Sequence, residues 1–143
     1  MTQLKEAGST TLSSKDVALL TASIANQKKA EDITISKIGE LTFVADYFVV
    51  CSGSNERQIK AIADEIKKVM KKQGVNILGM EGNTDLKWVL IDLGDVVIHI
   101  FDKTTRSFYD FDLLWGDAPK LECEFEEIDD EEAEEEEEEM TLS

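Results

Sequence analysis

A chain of 143 residues with 42% apolar side chains can bury one modest hydrophobic core. The net charge of −16 is unevenly placed: 14 acidic residues fall between Glu122 and Glu139, leaving 17 acidic against 15 basic before them. The near-neutral remainder argues against a nucleic-acid-binding domain, which needs a surplus of Lys and Arg on one face, and the sequence has no apolar run of the roughly 18 residues that a membrane helix requires.

Residues 1–14 carry Lys5 and Glu6 and have neither the apolar run of a signal peptide nor the arginines of a transit peptide, so a flexible segment and a cytoplasmic address are expected. Val17, Leu20, Ile24 and Ala25 follow at helical spacing, with Ser13 or Ser14 as N-cap, and predict a first helix to about Lys29. Ile33, Ile35 and Ile38 predict a strand, which residues 41–44 either continue or turn away from. A β-branched and aromatic run over residues 46–52 predicts a second strand that stops at Gly53. Ile59, Ile62, Ile66 and Val69 form one stripe of an amphipathic helix, with Asn55 and Gln58 as a capping box and Gly74 just past its end. Lys67, Lys68, Lys71 and Lys72 fall in its last turns, where cations complement the helix dipole, and read as a solvated helix end.

Residues 75–78 begin a further short strand and residues 79–85 read as a loop. The loop delivers the chain to residues 88–101, a buried β-hairpin whose turn is Asp92-Leu93-Gly94-Asp95. Val89 and Ile91 face one way and Trp88, Leu90 and Asp92 the other, so Trp88 offers an aromatic group beside a carboxylate. His99 lies between Val97 and Phe101 on its strand face and reads as a core histidine. Residues 102–105 are a polar turn, 106–109 a short strand and 111–115 a last apolar patch, so that the domain spans residues 15–121. Residues 122–143 hold a polyacidic run expected to be disordered and solubilising. Cys51 and Cys123 give neither a disulfide framework nor metal-ligand spacing and read as reduced thiols. The order of elements predicts an α/β fold, a small mixed sheet flanked by helices.

Several segments in this order, namely residues 46–58 (Asp-Tyr-Phe-Val-Val-Cys-Ser-Gly-Ser-Asn-Glu-Arg-Gln), Gly79-Met-Glu-Gly, the run from Trp88 to His99, and Arg106-Ser-Phe-Tyr followed by Leu114-Trp115, resemble the Iojap family of ribosome-silencing factors. The resemblance covers residues 19–118 and has no counterpart for the acidic tail. It implies a domain similar to the nucleotidyltransferase fold that binds the large ribosomal subunit at its fourteenth protein, on the intersubunit face. Such binding blocks joining with the small subunit and lowers translation when nutrients are short, without cofactor, metal or catalysis. Free members of such families can also form homodimers through the same face.

Basic side chains are abundant on a ribosome, so the docking residues expected are Glu81, Asp92 and Asp95 as carboxylates and Trp88 as aromatic anchor, with Arg106 and Tyr109 extending the patch. Two other readings are weaker. A nucleotidyltransferase-like enzyme would use Gly53-Ser54 to hold phosphate, but no acidic pair follows on an adjacent strand to hold Mg²⁺. A module binding ribosomal RNA is disfavoured by the charge balance. A role in assembly of the large subunit, as in organelles, is the remaining alternative.

Overall fold

A computed structural model describes residues 12–82, 84–109 and 116–123. The acidic run and the apolar patch at 111–115 lie outside the described residues.

Helix α1 spans Ser14–Gln27, with the Ser13 side chain accepting from the Asp16 N–H. Lys29 then takes a left-handed backbone (φ 63°), and the Ala30 N–H closes on the Ala25 carbonyl at 2.9 Å, a Schellman ending without glycine. Strand β1 covers Glu31–Ser36 and β2 covers Tyr47–Gly53. Between them, residues 41–44 turn away from the strand, the Leu41 and Thr42 N–H groups both reaching the Ile38 carbonyl. A 3₁₀ turn at Ile38–Glu40 leads into a loop whose Leu41, Phe43 and Val44 are exposed. Helix α2 spans Glu56–Lys72 and ends, as expected, at a left-handed Gly74.

The predicted hairpin is present as β4 (Trp88–Asp92) and β5 (Val96–Asp102). Two expectations need correction. The short strand after α2 is β3 at Gly79–Glu81, inside the stretch expected to be a loop and later than residues 75–78: the Leu78 N–H reaches the Asp92 carbonyl at 2.8 Å, and the continuous ladder with β4 starts from there. Residues 102–109 are not a polar turn followed by a strand: Asp102 ends β5, and Lys103–Tyr109 form α3. Its first turn is set by Asp102, whose carboxylate accepts from the Thr105 N–H and hydroxyl, a cap that outweighs the β-propensity of Phe108 and Tyr109.

The five strands form one mixed sheet in the order β1-β2-β5-β4-β3, in which β2 and β5 run parallel and the other neighbours antiparallel. Residues 119–121 add a last pairing to the outer edge of β1, with Lys120 opposite Ser36. Both long helices lie on one face. Ile35, Val49, Cys51, Val89, Ile91, Ile98 and Ile100 point toward them and bury Ala18, Ala22 and Ala25 of α1 and Ile59, Ile62, Ile66 and Met70 of α2. The small side chains of α1 let its backbone come close to the sheet, while α2 contributes bulk. The other face carries Phe48, Val50, Val97, His99 and Phe101 and is covered on its β2 side by Ile38, Ala45 and Ala118.

Gln58 joins the two helices. The Asn55 side chain caps α2 by accepting from the Gln58 N–H at 2.8 Å. The Gln58 side chain does not return to the Asn55 N–H as a capping box would: its Oε1 takes the Ser54 N–H, and its Nε2 donates to the carbonyls of Lys28 and Lys29 at 3.1 and 2.8 Å. One amide thus satisfies the start of α2 and the end of α1 together. Gln58→Ala is expected to cost roughly 1–2 kcal/mol in denaturant unfolding, with faster amide exchange at residues 27–30; unchanged stability would mean that water replaces these bonds fully.

Candidate functional site: the open face of the sheet

Side chains alternate on each strand, and the registers decide which of them meet. On the face away from the helices, one row across the sheet reads Glu81, Leu90, His99, Val50. A second row pairs Trp88 with Phe101 and Ser52, and a third pairs Asp92 with Val97 and Phe48. Glu81, Trp88 and Asp92 therefore share the β3–β4 side of this face. Trp88 and Leu90 are half-buried there, Glu81 is exposed and Asp92 intermediate.

Trp88 is held by aromatic neighbours. Its ring stacks on Phe101 at 4.9 Å between centroids, and its Nε1–H donates to His99 Nδ1 at 3.1 Å. Phe48 meets His99 edge-on at 4.6 Å. An accepting Nδ1 means a neutral imidazole whose proton sits on Nε2. Burial agrees with that state, since it disfavours the imidazolium and pushes the His99 pKa down to about 4. His99 is the core histidine the pattern predicts, and it also orients the half-exposed tryptophan.

Beside Trp88 lies an open cleft of about 590 Å³ lined by Gly82, Asp85, Lys87, Thr104, Thr105 and Phe108. At its edge Gly82 lets the chain pass close to the β4 backbone: its φ is +81°, and a Cβ there would lie 1.9 Å from the Trp88 carbonyl oxygen. Phe108 is 80% exposed at the rim. Sequence reasoning missed Phe108 and the Thr104–Thr105 wall because residues 106–109 read as a strand.

The hairpin tip lies at the opposite end of the sheet. Asp92 Oδ1 accepts from the Gly94 N–H at 2.8 Å and so shapes the turn. The Asp95 carbonyl accepts from both Asp46 and Tyr47 N–H groups at 2.8 and 3.1 Å, which leaves its exposed carboxylate beside the loop that carries Phe43 and Val44. These two side chains are 107% and 69% exposed, and nothing in the apolar pattern distinguished them from strand residues.

Arg106 differs from the docking role expected of it. It is 7% exposed, and its Nη1 donates to the Asp32 carbonyl at 2.8 Å and the Ser52 hydroxyl at 2.9 Å, so it is an internal strut between α3, β1 and β2. Glu31 adds an outer tie: Lys103 Nζ lies 2.7 Å from its Oε2, and the Ser54 hydroxyl donates to the same oxygen, holding the Glu31 carboxyl below the usual range. Tyr109 closes α3, and its side chain lies outside the described residues. Cys51 is fully buried, and the apolar surroundings push its thiol up to about 12, consistent with an unreactive reduced thiol. Among the described residues no group of three His, Cys, Asp or Glu side chains is placed to hold a metal ion, and no helix is long and apolar enough to cross a membrane.

The His99 environment makes stability pH-dependent. Its folded-state pKa of about 4 lies below the ordinary 6.5, so between these values the unfolded chain takes up the proton and the folded chain does not. Acidification through that window favours unfolding, and the penalty vanishes above it. At pH 5 the wild type is expected to lose roughly 2 kcal/mol more, relative to pH 7, than His99→Gln does. Denaturant unfolding of both proteins at the two pH values measures this, and equal losses would refute the account.

The family model described as "ribosomal silencing factor during starvation" matches residues 11–142. The chain is 42% identical over 113 residues to Ribosomal silencing factor RsfS of Halalkalibacterium halodurans, covering 79% of this chain and 97% of that one. It is 41% identical over 114 residues to the RsfS of Bacillus subtilis, covering 80% and 97%. A crystal structure of a Chromobacterium violaceum protein superposes with a TM-score of 0.71 at 33% identity, covering 73% of this chain and 88% of that one. The mixed α/β fold and the resemblance in the strand and hairpin segments thus agree with the comparisons, and the chain belongs to the RsfS family of ribosomal silencing factors.

Proposed function

We propose that this chain docks through the open face of its sheet onto the large ribosomal subunit, at the fourteenth protein on the intersubunit side, and so prevents the small subunit from joining. The supporting observation is Trp88. It is a large aromatic group left half-exposed beside Leu90 on a face rimmed by carboxylates, fixed by Phe101 and His99, in a member of a silencing family. A rigid aromatic with little rotamer entropy left to lose is the kind of residue that dominates interface energies.

The surroundings of Trp88 suit a basic partner. Glu81, Asp92 and Asp95 place carboxylates around the face, and such groups raise encounter rates with a cationic surface more than they raise final affinity. Phe108 at one end and Phe43 and Val44 at the other extend the apolar contact. Tyr109 joins this surface in the proposal, whereas Arg106 supports it from inside. Occupancy alone accounts for silencing, so no cofactor or reaction step is required, and the place of action is the cytoplasm, where the subunits meet. A homodimer of the free protein formed through the same face would have to open before docking.

Purified large subunits sedimented with this protein, with and without small subunits, test the reading. Co-sedimentation and loss of joined particles are expected. Phe43→Ala, which removes an exposed ring, should leave thermal unfolding unchanged and weaken binding, Phe108→Ala should weaken binding too, and Trp88→Ala should weaken it by roughly 30-fold or more. Asp95→Lys should slow association at low salt. Retention of full affinity by Trp88→Ala and Phe108→Ala together would remove the open face from the interface, and failure to co-sediment at low salt would remove the ribosome reading itself.

A further inference from the structure

The helix face of the molecule holds a charged surface that the docking reading does not use. In the last turns of α2, Lys67, Lys68, Lys71 and Lys72 follow one another with no acidic residue among them. Lys68, Lys71 and Lys72 are exposed and make no ion pair among the described residues, whereas Lys60 and Lys67 share Asp64 at 2.8 and 3.8 Å. The domain as a whole is nearly balanced, so these lysines represent a local excess paid for in mutual repulsion. The same chain carries a second, opposite excess: 13 acidic and no basic residues lie in 124–139.

The end of the described chain bears on where the second excess sits. Residues 119–121 pair along the outer edge of β1, and Leu121 and Cys123 pack against the core cluster formed by the helix face of the sheet. The chain thus leaves the domain on the side of α1 and α2, away from the Trp88 surface. A chain the length of 124–139 reaches roughly 50 Å when extended, about twice the roughly 25 Å span of α2, so the lysines are well within reach. Tethering makes the contact intramolecular, with an effective concentration that two separate peptides would lack.

We propose that the acidic segment 124–139 lies along the exposed lysine face of α2 and neutralises it, an electrostatic contact that keeps this face from holding RNA or other polyanions and leaves the sheet face as the docking surface. The proposal is independent of which ribosomal protein that face meets. It requires many weak, interchangeable pairs rather than one fixed geometry, so it should be strong at low salt and disappear as charges are screened.

The test uses the full chain with a nitroxide spin label at Ala133→Cys in a Cys123→Ser background; Cys51 is buried and does not compete for the label. In ¹⁵N-labelled protein at about 0.01 M salt, amides of residues 67–73 should broaden strongly, and those of 88–92 on the other face should not. At about 1 M salt, where the Debye length is about 3 Å, the broadening should vanish. The Lys67→Gln/Lys68→Gln/Lys71→Gln/Lys72→Gln chain, altered at surface positions, should lose it at low salt too. Broadening that is absent at low salt, spread evenly over the domain, centred on 88–92, or unmoved by the four substitutions would overturn the proposal. So would broadening that appears when labelled ¹⁴N protein is mixed with unlabelled ¹⁵N protein, since that places the tail on a second copy.

Discussion

The parallel pairing of β2 with β5 is the constraint on which the rest of the structure depends. It places seven consecutive residues of each strand side by side at the centre of the sheet, and both strands are buried over nearly their whole length. A parallel pair needs a crossover, and α2 with the β3–β4 return supplies it on one face. With α1 packed on that face as well, the sheet becomes two-sided in a specific way. One face is sealed by helices, and the other is covered on its β2 side by loops, with Trp88 and Leu90 half-buried on its β4 side.

That asymmetry turns an ordinary core residue type into a functional candidate. A tryptophan on β4 that faced the helices would be filler. Facing the other way, it stacks on Phe101, donates to a neutral His99 and keeps part of its ring accessible. Aromatic packing and one part-buried hydrogen bond settle its rotamer before any partner arrives, so little ordering cost is left for binding. The same geometry explains why His99 stays neutral: protonating Nδ1 would set two N–H groups against each other in an apolar site.

Charge is distributed to match the two faces. Glu81, Asp92 and Asp95 lie around the open face and its hairpin tip, while Lys68, Lys71 and Lys72, which have no ion pair among the described residues, lie at the end of α2 on the helix face. Near-neutrality in composition conceals this separation, because a sum over residues carries no direction. Arg106 shows the opposite case: a residue of a type favoured at interfaces is consumed inside, where a backbone carbonyl and a serine hydroxyl need its N–H groups.

Local pattern by itself determined a good deal of this protein. Period-three-and-four stripes placed α1 and α2, alternation and a glycine turn placed the β4–β5 hairpin, and the order of motifs placed the chain in its family, because each is a relation between near neighbours in the chain. Alternation also put Trp88, Leu90 and Asp92 together on one side. Tertiary structure alone decided which side that was, since period two distinguishes two faces without saying which one the helices cover. It also decided that Arg106 is internal, that residues 106–109 coil behind an Asp102 cap, that Gln58 binds the end of another helix, and that Phe43 and Phe108 are exposed. Each of these depends on groups distant in sequence or on a cap that competes with β-propensity, and such contacts leave no periodic trace.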